Sequence, residues 1–253
     1  MIRVSDLTFS YSGSKILNSL SFFLGKNAVL SILGKNGAGK TTLLKCINRL
    51  LTPKSGKIEI DGADISRLSL TELSRIIGYV PQITHEEPMT IFDSVLLGRK
   101  PYLGFKSTKE DLYMVEEMLD YLGLADHAFK FTTELSGGEY QKVVIARLLV
   151  KQPKVLLLDE PINNLDLKNQ FQIMGLIKHV AKKHGVTVVL SIHDINMAHR
   201  YSDYLLLMKD SSVFYYGVPN SVNVEKLSSI YNVHLERGEI KNSVFFFPVV
   251  KEE

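Results

Sequence analysis

The stretch Gly34–Thr41 constrains this chain more than any other part of its sequence. It reads Gly-Lys-Asn-Gly-Ala-Gly-Lys-Thr and fits Gly-x-x-x-x-Gly-Lys-Ser/Thr, the pattern of a phosphate-binding loop. The apolar residues 28–33 before it predict a buried strand, and residues 42–47 after it predict an amphipathic helix. Glycines let such a loop curl its N–H groups toward phosphate oxygens, and the helix N-terminus adds positive potential. We therefore expect a nucleoside triphosphate to bind here.

Two side chains of this loop have predicted chemical roles. Lys40 is expected to reach the β- and γ-phosphates, and the hydroxyl of Thr41 is expected to ligate Mg²⁺. The other residues expected to contact the nucleotide are Gly34, Lys35, Asn36, Gly37, Ala38, Gly39 and Thr42.

Length and composition are those of a globular protein with a real core. With 253 residues, of which 45% are hydrophobic and 23% charged, the chain suits one large domain or one domain with a subdomain. The net charge is only +3, and no block of consecutive Lys and Arg residues occurs. This balance argues against nucleic acid as a partner.

Two features bear on the compartment. The single cysteine, Cys46, cannot form an intramolecular disulfide, which suits a reducing compartment, and it is expected to be a buried apolar residue. The N-terminus lacks the apolar centre of a signal peptide, and no apolar run approaches the roughly 18 residues of a membrane span. Any link to a membrane is therefore expected to go through a partner.

The segment before the loop is predicted to be β-structure. Residues 2–10 and 19–24 predict strands, separated by a turn at Tyr11–Ser14. Tyr11 is placed to stack on an adenine ring, and the alternative is a surface aromatic at a turn. The elements predicted after the loop helix are a strand at residues 57–60, a helix at 70–76 and a strand at 77–80.

Residues 83–150 change character, because helical periodicity replaces β-branched runs. Thr90 with Asp93 predicts one helix start. Ser107 with Glu110 predicts a capping box for a helix that ends at Gly123.

The stretch Leu135–Glu139 begins another predicted helix. Ser136 and Glu139 fit a capping box, which leaves Gly137 and Gly138 in the first turn with free N–H groups. Such a helix start favours a phosphate oxygen, but the pattern alone also fits an ordinary helix cap.

An apolar strand predicted at residues 155–160 ends in two acids, Asp159 and Glu160. Acids at the carboxyl end of a buried strand lie where ligands bind in open α/β sheets. We expect Asp159 to hold Mg²⁺ opposite Thr41, and Glu160 to accept a proton from attacking water. The alternative is that the two acids cap the next segment.

His193 follows the next predicted strand, residues 186–191, which a helix from Asp166 to His184 precedes. Because of this position, its imidazole is expected to donate a hydrogen bond to the γ-phosphate, and the alternative is a structural histidine. The elements predicted after it are a hairpin of strands at 204–208 and 213–216, a helix at 224–231 and a strand at 243–250.

In this order, the motifs resemble those of the nucleotide-binding subunits of ABC transporters over roughly residues 1–216. The matching elements are Tyr11, the phosphate loop, Gln82, the signature Leu135–Glu139, the strand end Asp159-Glu160, and His193. Tyr11 matches the family's adenine-stacking aromatic, and Gln82 matches its glutamine loop.

The resemblance implies an α/β fold with a RecA-like P-loop NTPase core, an N-terminal antiparallel β subdomain and an inserted α-helical subdomain. Residues 1–253 are then a single ABC ATPase domain. Its implied parts are a core with the antiparallel β part at 1–82 and 151–216, a helical subdomain at 83–150, and a C-terminal extension at 217–253.

The resemblance also implies ATP hydrolysis with Mg²⁺ by a head-to-tail homodimer. Ser136, Gly137 and Gly138 of one subunit would meet the γ-phosphate bound by the other, and Gln82 would sense Mg²⁺ and the lytic water. The implied catalytic residues are Glu160, His193, Gln82 and Lys40, and the implied Mg²⁺ ligands are Thr41, Gln82 and Asp159.

The implied partners are transmembrane permease subunits that dock on the helical subdomain at the cytoplasmic face of the cell membrane. A solute-binding protein outside the cytoplasm would be reached through the permease. Residues 98–104 and 193–198 look like the importer branch for metal chelates, which include siderophore iron, haem and cobalamin. Iron chelates rank first, and molybdate or tungstate is the alternative.

One departure from the family concerns Ile162 and Asn163, where a Thr and a small polar residue are usual. Both are expected to change the surroundings of the partner's γ-phosphate, and so the rate of hydrolysis rather than ATP binding. The rival functions are a soluble ABC ATPase of DNA repair or translation, a binding module without hydrolysis, and an exporter.

Overall fold

The computed structural model describes residues 1–82, 87–103, 106–241 and 243–249. Four predictions fall partly outside these ranges. They concern Gly104, which ends the stretch compared with metal-chelate importers, Val250, which ends the last predicted strand, residues 83–86, which begin the helical subdomain, and residues 242 and 250–253 of the C-terminal extension.

The elements alternate between strands and helices along much of the chain. The strands are β1 (Ile2–Tyr11), β2 (Ser14–Leu24), β3 (Val29–Leu33), β4 (Ser55–Ile60), β5 (Ala63–Asp64), β6 (Ile77–Val80), β7 (Val155–Asp159), β8 (Thr187–Ser191), β9 (Tyr204–Lys209), β10 (Ser212–Gly217), β11 (Leu235–Ile240) and β12 (Ser243–Pro248). The α-helices are α1 (Lys40–Ile47), α2 (Leu70–Ile76), α3 (Ile91–Leu96), α4 (Lys109–Leu122), α5 (Gly137–Leu149), α6 (Leu167–Lys183), α7 (Ile195–Tyr201) and α8 (Val224–Tyr231).

The central sheet has the strand order β10-β9-β3-β8-β7-β6. Its strands are parallel from β9 to β6, and β10 is antiparallel to β9. Every residue of β3, β7 and β8 is buried, as expected for parallel strands covered on both faces. The carboxyl ends of these three strands therefore meet at one edge, where ligands bind in open α/β sheets.

A second sheet, with the order β2-β1-β4-β5, is antiparallel throughout. Its apolar face shares one core with α1 and the central sheet, to which Leu7, Leu20, Leu43, Leu44 and Leu206 belong. The opposite face of the central sheet is covered by apolar residues of α5, α6, α7 and α8. These two layers confirm the predicted α/β class.

Helices α3, α4 and α5 form a hydrophobic cluster of their own around Ile91, Val95, Val115, Leu119 and Val143. This separate cluster is consistent with the predicted helical subdomain. Among the described residues, no helix combines the length and apolar content that crossing a membrane requires.

The cap of α4 lies one residue later than predicted. Thr108, rather than Ser107, is the N-cap, and its partner is Asp111 rather than Glu110. The reason is tertiary, because the Asp111 carboxylate also accepts a hydrogen bond from Arg99 Nε at 2.8 Å. Glu110 is exposed, and its carboxylate has no comparable partner among the described residues.

Other boundaries also differ from the sequence predictions. β2 begins at Ser14 rather than near residue 19, so the turn narrows to Ser12 and Gly13, and Tyr11 becomes the last residue of β1. Helix α7 and strand β11 were not predicted. Cys46 is buried as expected, and burial raises the pKa of its thiol to about 12.

The buried Arg99–Asp111 pair generates a stability prediction. Asp111→Ala removes the carboxylate that completes the α4 capping box and leaves the buried guanidinium of Arg99 without its charge partner, so we expect a loss of about 3 kcal/mol in the free energy of unfolding. Urea unfolding followed by circular dichroism measures the loss. Asp120→Ala, on an exposed position of the same helix, is the control and should change this free energy by less than about 0.5 kcal/mol.

The difference in the free energy of unfolding between the wild type and Asp111→Ala should depend on pH. The hydroxyl and amide of Thr108, with Arg99, lower the pKa of Asp111 from 3.8 to about 2. The carboxylate therefore stabilises the fold fully above its unfolded pKa, and this contribution is lost as pH falls toward 2. If this difference in the free energy of unfolding stays constant down to about pH 2, the ionised Asp111 carboxylate does not stabilise the fold as proposed.

Candidate functional site

The predicted phosphate loop joins β3 to α1 as a tight curl. Gly37 and Gly39 have φ angles of 82° and 98°, in the left-handed region that glycine tolerates. Gly39 is the N-cap of α1, and a Cβ there would lie 2.8 Å from Leu17 Cδ2 and 2.9 Å from the Ile16 carbonyl oxygen. Both the backbone angle and the close approach of β2 therefore require glycine at this position.

Lys40 brings a buried ammonium group to this loop. Its Nζ donates hydrogen bonds to the carbonyl oxygens of Gly34 at 2.7 Å and Lys35 at 3.2 Å. Burial lowers the pKa of Lys40, while the carboxylates of Glu160 and Asp159 act in the opposite direction. The loop thus holds a cation whose desolvation an anionic ligand would offset.

Asp159, at the end of β7, faces the hydroxyl of Thr41. Its Oδ1 accepts hydrogen bonds from Thr41 Oγ1 at 3.1 Å and from Ser191 Oγ at 2.5 Å. Its Oδ2 is buried and has no hydrogen-bond partner among the described residues. A buried, unsatisfied carboxylate oxygen beside a hydroxyl suits a hard cation such as Mg²⁺, which prefers oxygen ligands.

Glu160 is the centre of a hydrogen-bonded cluster that the sequence did not predict as one unit. Its Oε2 accepts from Gln82 Nε2 at 2.9 Å and from Asn163 Nδ2 at 3.2 Å, and its Oε1 lies 2.6 Å from His193 Nε2. The Glu160 backbone N–H donates to Ser191 Oγ at 2.9 Å. Three separately predicted residues, Gln82, Glu160 and His193, are therefore brought together.

A cleft of about 530 Å³ joins these groups to the phosphate loop. The predicted site residues that line it are Tyr11, Asn36, Gly37, Gly39, Lys40, Thr41, Thr42, Gln82, Glu160 and His193. Gly34, Lys35 and Ala38 are not among its lining residues in the described part of the chain. Lys35 and Ala38 instead line a cavity beside α8, so their predicted nucleotide contacts stay predictions.

Two other lining residues and one supporting residue were missed. Ile16 and Asn163 line the cleft, and Ser191 lies behind it. The sequence did carry a signal for Ser191, because this residue ends a predicted buried strand, as Asp159 does. In the structure the two strands pair, and Ser191 lies opposite Asp159. Asn163 was noticed only as a departure from the family pattern.

Residues 162 and 163, which depart from the family pattern, differ in where their side chains lie. Ile162 is buried in the main core and lines a small cavity with Glu160 and His193, and its effect on the surroundings of a partner's phosphate stays a prediction. Asn163 does face the site, but it does so through its hydrogen bond to Glu160.

Tyr11 forms one wall of the cleft. Its ring is 45% exposed and packs edge-to-face on Phe9, with 4.7 Å between ring centroids. An exposed aromatic ring held in place by a neighbour is suited to stacking on a planar base.

The predicted signature lies apart from the cleft of its own chain. Ser136 caps α5 together with Glu139, to which its Oγ donates a hydrogen bond at 2.6 Å. Ser136 and Gly137 are exposed, whereas a Cβ on Gly138 would lie 2.4 Å from Asn169 Cγ on α6. Among the described residues that line the cleft, Ser136, Gly137 and Gly138 do not occur.

Comparison with known protein sequences agrees with this geometry. The family described as ABC transporter matches residues 17–163. An uncharacterized ABC transporter ATP-binding protein of Methanocaldococcus jannaschii is 46% identical, over 92% of each chain. A petrobactin import ATP-binding protein of Bacillus subtilis is 35% identical, over 96% of this chain and 97% of that one. A phosphonates import ATP-binding protein of Oceanobacillus iheyensis is 35% identical, over 91% and 95%.

Solved structures are similar over nearly the whole chain. A structure described as a metal-chelate type ABC transporter in an inward-facing conformation has a TM-score of 0.86 at 31% identity, covering 99% of this chain and 98% of that one. A dimeric ATP-binding cassette in a post-hydrolysis state, bound to ADP and phosphate, has a TM-score of 0.75 at 30% identity, covering 88% and 100%.

The buried ammonium of Lys40 generates a prediction with two readouts. Lys40→Met should weaken ATP binding roughly 100-fold, because a charge-assisted contact to phosphate is lost. The same change should leave the melting temperature without nucleotide equal or higher, because the lowered pKa shows that the charged form costs stability. Titration with a fluorescent ATP analogue and thermal unfolding measure the two effects.

Lys45→Met is the matched control for that substitution. Lys45 is half-buried in the last turn of the same helix and does not line the cleft. Normal ATP affinity in Lys40→Met, or equal losses in both variants, contradicts the role of the loop cation.

Proposed function

Because this chain belongs to the ABC transporter family as an ATP-binding subunit with ATPase activity, we propose that it powers the import of an iron chelate. Related metal compounds, such as haem or cobalamin, are included in the proposal. The observation that carries it is the likeness to the metal-chelate type transporter, which extends over 99% of this chain and therefore includes the C-terminal segment.

Sequence identity alone does not separate cargo classes. The petrobactin and phosphonates import proteins are both 35% identical to this chain. The metal-chelate assignment is favoured by coverage, because the petrobactin relative aligns with 96% of this chain and the phosphonates relative with 91%. Import of phosphonates, molybdate or tungstate is the second candidate.

The proposed mechanism starts with the phosphate loop. The N–H groups of the curl and the Lys40 ammonium bind the phosphates, while the Tyr11 ring stacks on the adenine. Thr41 and Asp159 would hold Mg²⁺, for which the unsatisfied Oδ2 of Asp159 is the supporting observation, and Gln82 is a further proposed ligand. When bound, Mg²⁺ neutralises negative charge on the β- and γ-phosphates.

Glu160 is the proposed general base. A water oxygen attacks the γ-phosphorus, the bond from this phosphorus to the oxygen of the leaving ADP breaks, and the water proton passes to the Glu160 carboxylate. Gln82 and Asn163 hold one carboxylate oxygen and His193 holds the other, so the carboxylate cannot rotate freely. Lys40 and His193 are further proposed to stabilise charge on the transferred phosphoryl group.

A head-to-tail dimer is proposed to complete each site. The supporting observation is that Ser136, Gly137 and Gly138 do not line the cleft of their own chain, as far as the described residues go. A second chain can bring these residues to the γ-phosphate, with the hydroxyl of Ser136 and the N–H of Gly138 as donors. The dimeric cassette among the similar structures supports the formation of a dimer.

Permease subunits are the proposed partners of the helical part, at the cytoplasmic face of the membrane. Exposed apolar side chains at Leu97 in the helical part, and at Leu50 and Leu70 in the core part, support a docking surface. The end of α1 and the α2 region are linked by Arg49, which donates to the Ile65 carbonyl at 2.9 Å, and Arg75 of α2 donates to the Pro101 carbonyl at 3.0 Å. We further propose that a solute-binding protein outside the cytoplasm delivers the cargo to the permease. The domain limits given in the sequence analysis are also part of the proposal.

The dimer generates the next prediction. Glu160→Gln should bind ATP but fail to hydrolyse it, because the amide cannot accept the water proton, and the closed dimer should accumulate. Gel filtration with ATP and Mg²⁺ should therefore show a dimer. The double variant Lys40→Met, Glu160→Gln is the control and should remain monomeric, and a monomer in both samples overturns the dimer proposal.

The cargo generates a separate prediction. In the organism that encodes this chain, the chromosomal change Glu160→Gln should lower the uptake of a radiolabelled ferric siderophore to the level of a strain without the gene. Growth on phosphonate as the sole phosphorus source should stay normal, since that path does not depend on this chain. Normal iron uptake with failed growth on phosphonate reverses the assignment.

A further inference from the structure

The C-terminal segment, residues 219–241 and 243–249, packs behind the candidate active site. Helix α8 contributes Leu227 and Ile230 to the main core, and Leu235 of β11 and Phe246 of β12 join them. Neither the ATP-binding motifs nor the proposed mechanism above gives this segment a role.

The last residue of α8, Tyr231, connects two loops of the site. Its hydroxyl donates a hydrogen bond to the backbone carbonyl of His193 at 3.5 Å. The backbone N–H of Gly34, the first residue of the phosphate loop, faces the same hydroxyl and acts to lower the pKa of Tyr231. Burial and the Asp194 carboxylate raise the pKa of Tyr231 to about 12, so the hydroxyl keeps its proton at neutral pH.

Neighbouring residues attach the same helix to the phosphate-loop side. Ser229 Oγ accepts from Lys209 Nζ at 2.7 Å, at the end of β9. In the carboxamide orientation that satisfies its neighbours, Asn232 accepts from Lys35 Nζ at 2.8 Å and donates to the Ser229 carbonyl at 3.2 Å. The C-terminal end of α8 is therefore fixed to the loop by more than the tyrosine.

The β11–β12 hairpin attaches the same segment to the histidine side. Asn196, in the first turn of α7, donates through Nδ2 to the Phe246 carbonyl at 3.1 Å and accepts from the Phe246 N–H at 2.8 Å. The rings of His199 and Phe246 pack edge-to-face, with 5.3 Å between centroids. Helix α7 begins directly after the loop that carries His193, so its position sets the position of that loop.

We infer that Tyr231 is a positioning residue for ATP hydrolysis, which fixes the backbone of His193 relative to the phosphate loop. Its effect passes through the 2.6 Å contact between His193 Nε2 and Glu160 Oε1. The inference rests on the role proposed for His193. A displacement of the histidine changes the orientation of the Glu160 carboxylate, and catalysis is sensitive to displacements well below 1 Å.

Tyr231 is expected to affect the hydrolysis of ATP and not its binding. The phosphates are bound by Lys40 and the loop N–H groups, which other contacts also hold in place. Loss of the Tyr231 hydroxyl should therefore slow the chemical step more than it weakens ATP binding.

Steady-state ATP hydrolysis by purified Tyr231→Phe tests this. We expect kcat to fall roughly tenfold, with KM for ATP within about twofold of the wild type. Tyr215→Phe is the matched control, because its hydroxyl also donates to a backbone carbonyl, that of Val218 at 3.0 Å, in strand β10 before the segment. This control should keep the wild-type kcat.

A double-variant cycle with His193→Ala identifies the route of the effect. If Tyr231 acts through His193, then adding Tyr231→Phe to His193→Ala causes no further loss of kcat. A full additional loss in that background overturns the inference, as does a normal kcat in Tyr231→Phe alone. If His193→Ala itself hydrolyses ATP at the wild-type rate, the proposed role of His193 fails and the inference fails with it.

Discussion

The geometry of the site depends on the parallel register between β7 and β8. This register places Asp159 opposite Ser191, whose hydroxyl donates to the Asp159 carboxylate and accepts from the Glu160 N–H. One buried hydroxyl thereby orients a proposed metal ligand through its side chain and a proposed base through its backbone. A slip of one residue between these strands would turn every side chain of one strand to the other face and separate both acids from the phosphate loop.

The site also depends on the buried positive charge of Lys40. The ammonium group is held by carbonyl oxygens of its own loop, and its desolvation is only partly offset by Asp159 and Glu160. Functional sites commonly lose stability in this way, because a cation that is positioned to bind phosphate is partly removed from water. The surrounding structure compensates through the shared cores on the two faces of the central sheet.

Local patterns in the sequence predicted those parts of the site that depend on neighbours along the chain. The phosphate loop, the Ser136–Glu139 capping box and the acids that end β7 are of this kind, because glycine spacing, cap chemistry and apolar runs are local properties. The α4 cap was misplaced by one residue, since Arg99 selects Asp111 through a tertiary contact. Ser191, Asn163 and Tyr231 were missed for the same reason, as their partners lie in other elements.

The single cysteine has a practical consequence. Cys46 lies in the core beneath the antiparallel sheet, and its thiol stays protonated far above physiological pH. The thiolate is the species that peroxides and alkylating reagents attack, so the native chain presents them with almost no target. A cysteine introduced at an exposed position would therefore carry a fluorophore or spin label without competing reaction. Distances between the two copies of the proposed dimer could then be followed through the hydrolysis cycle on an otherwise unaltered background.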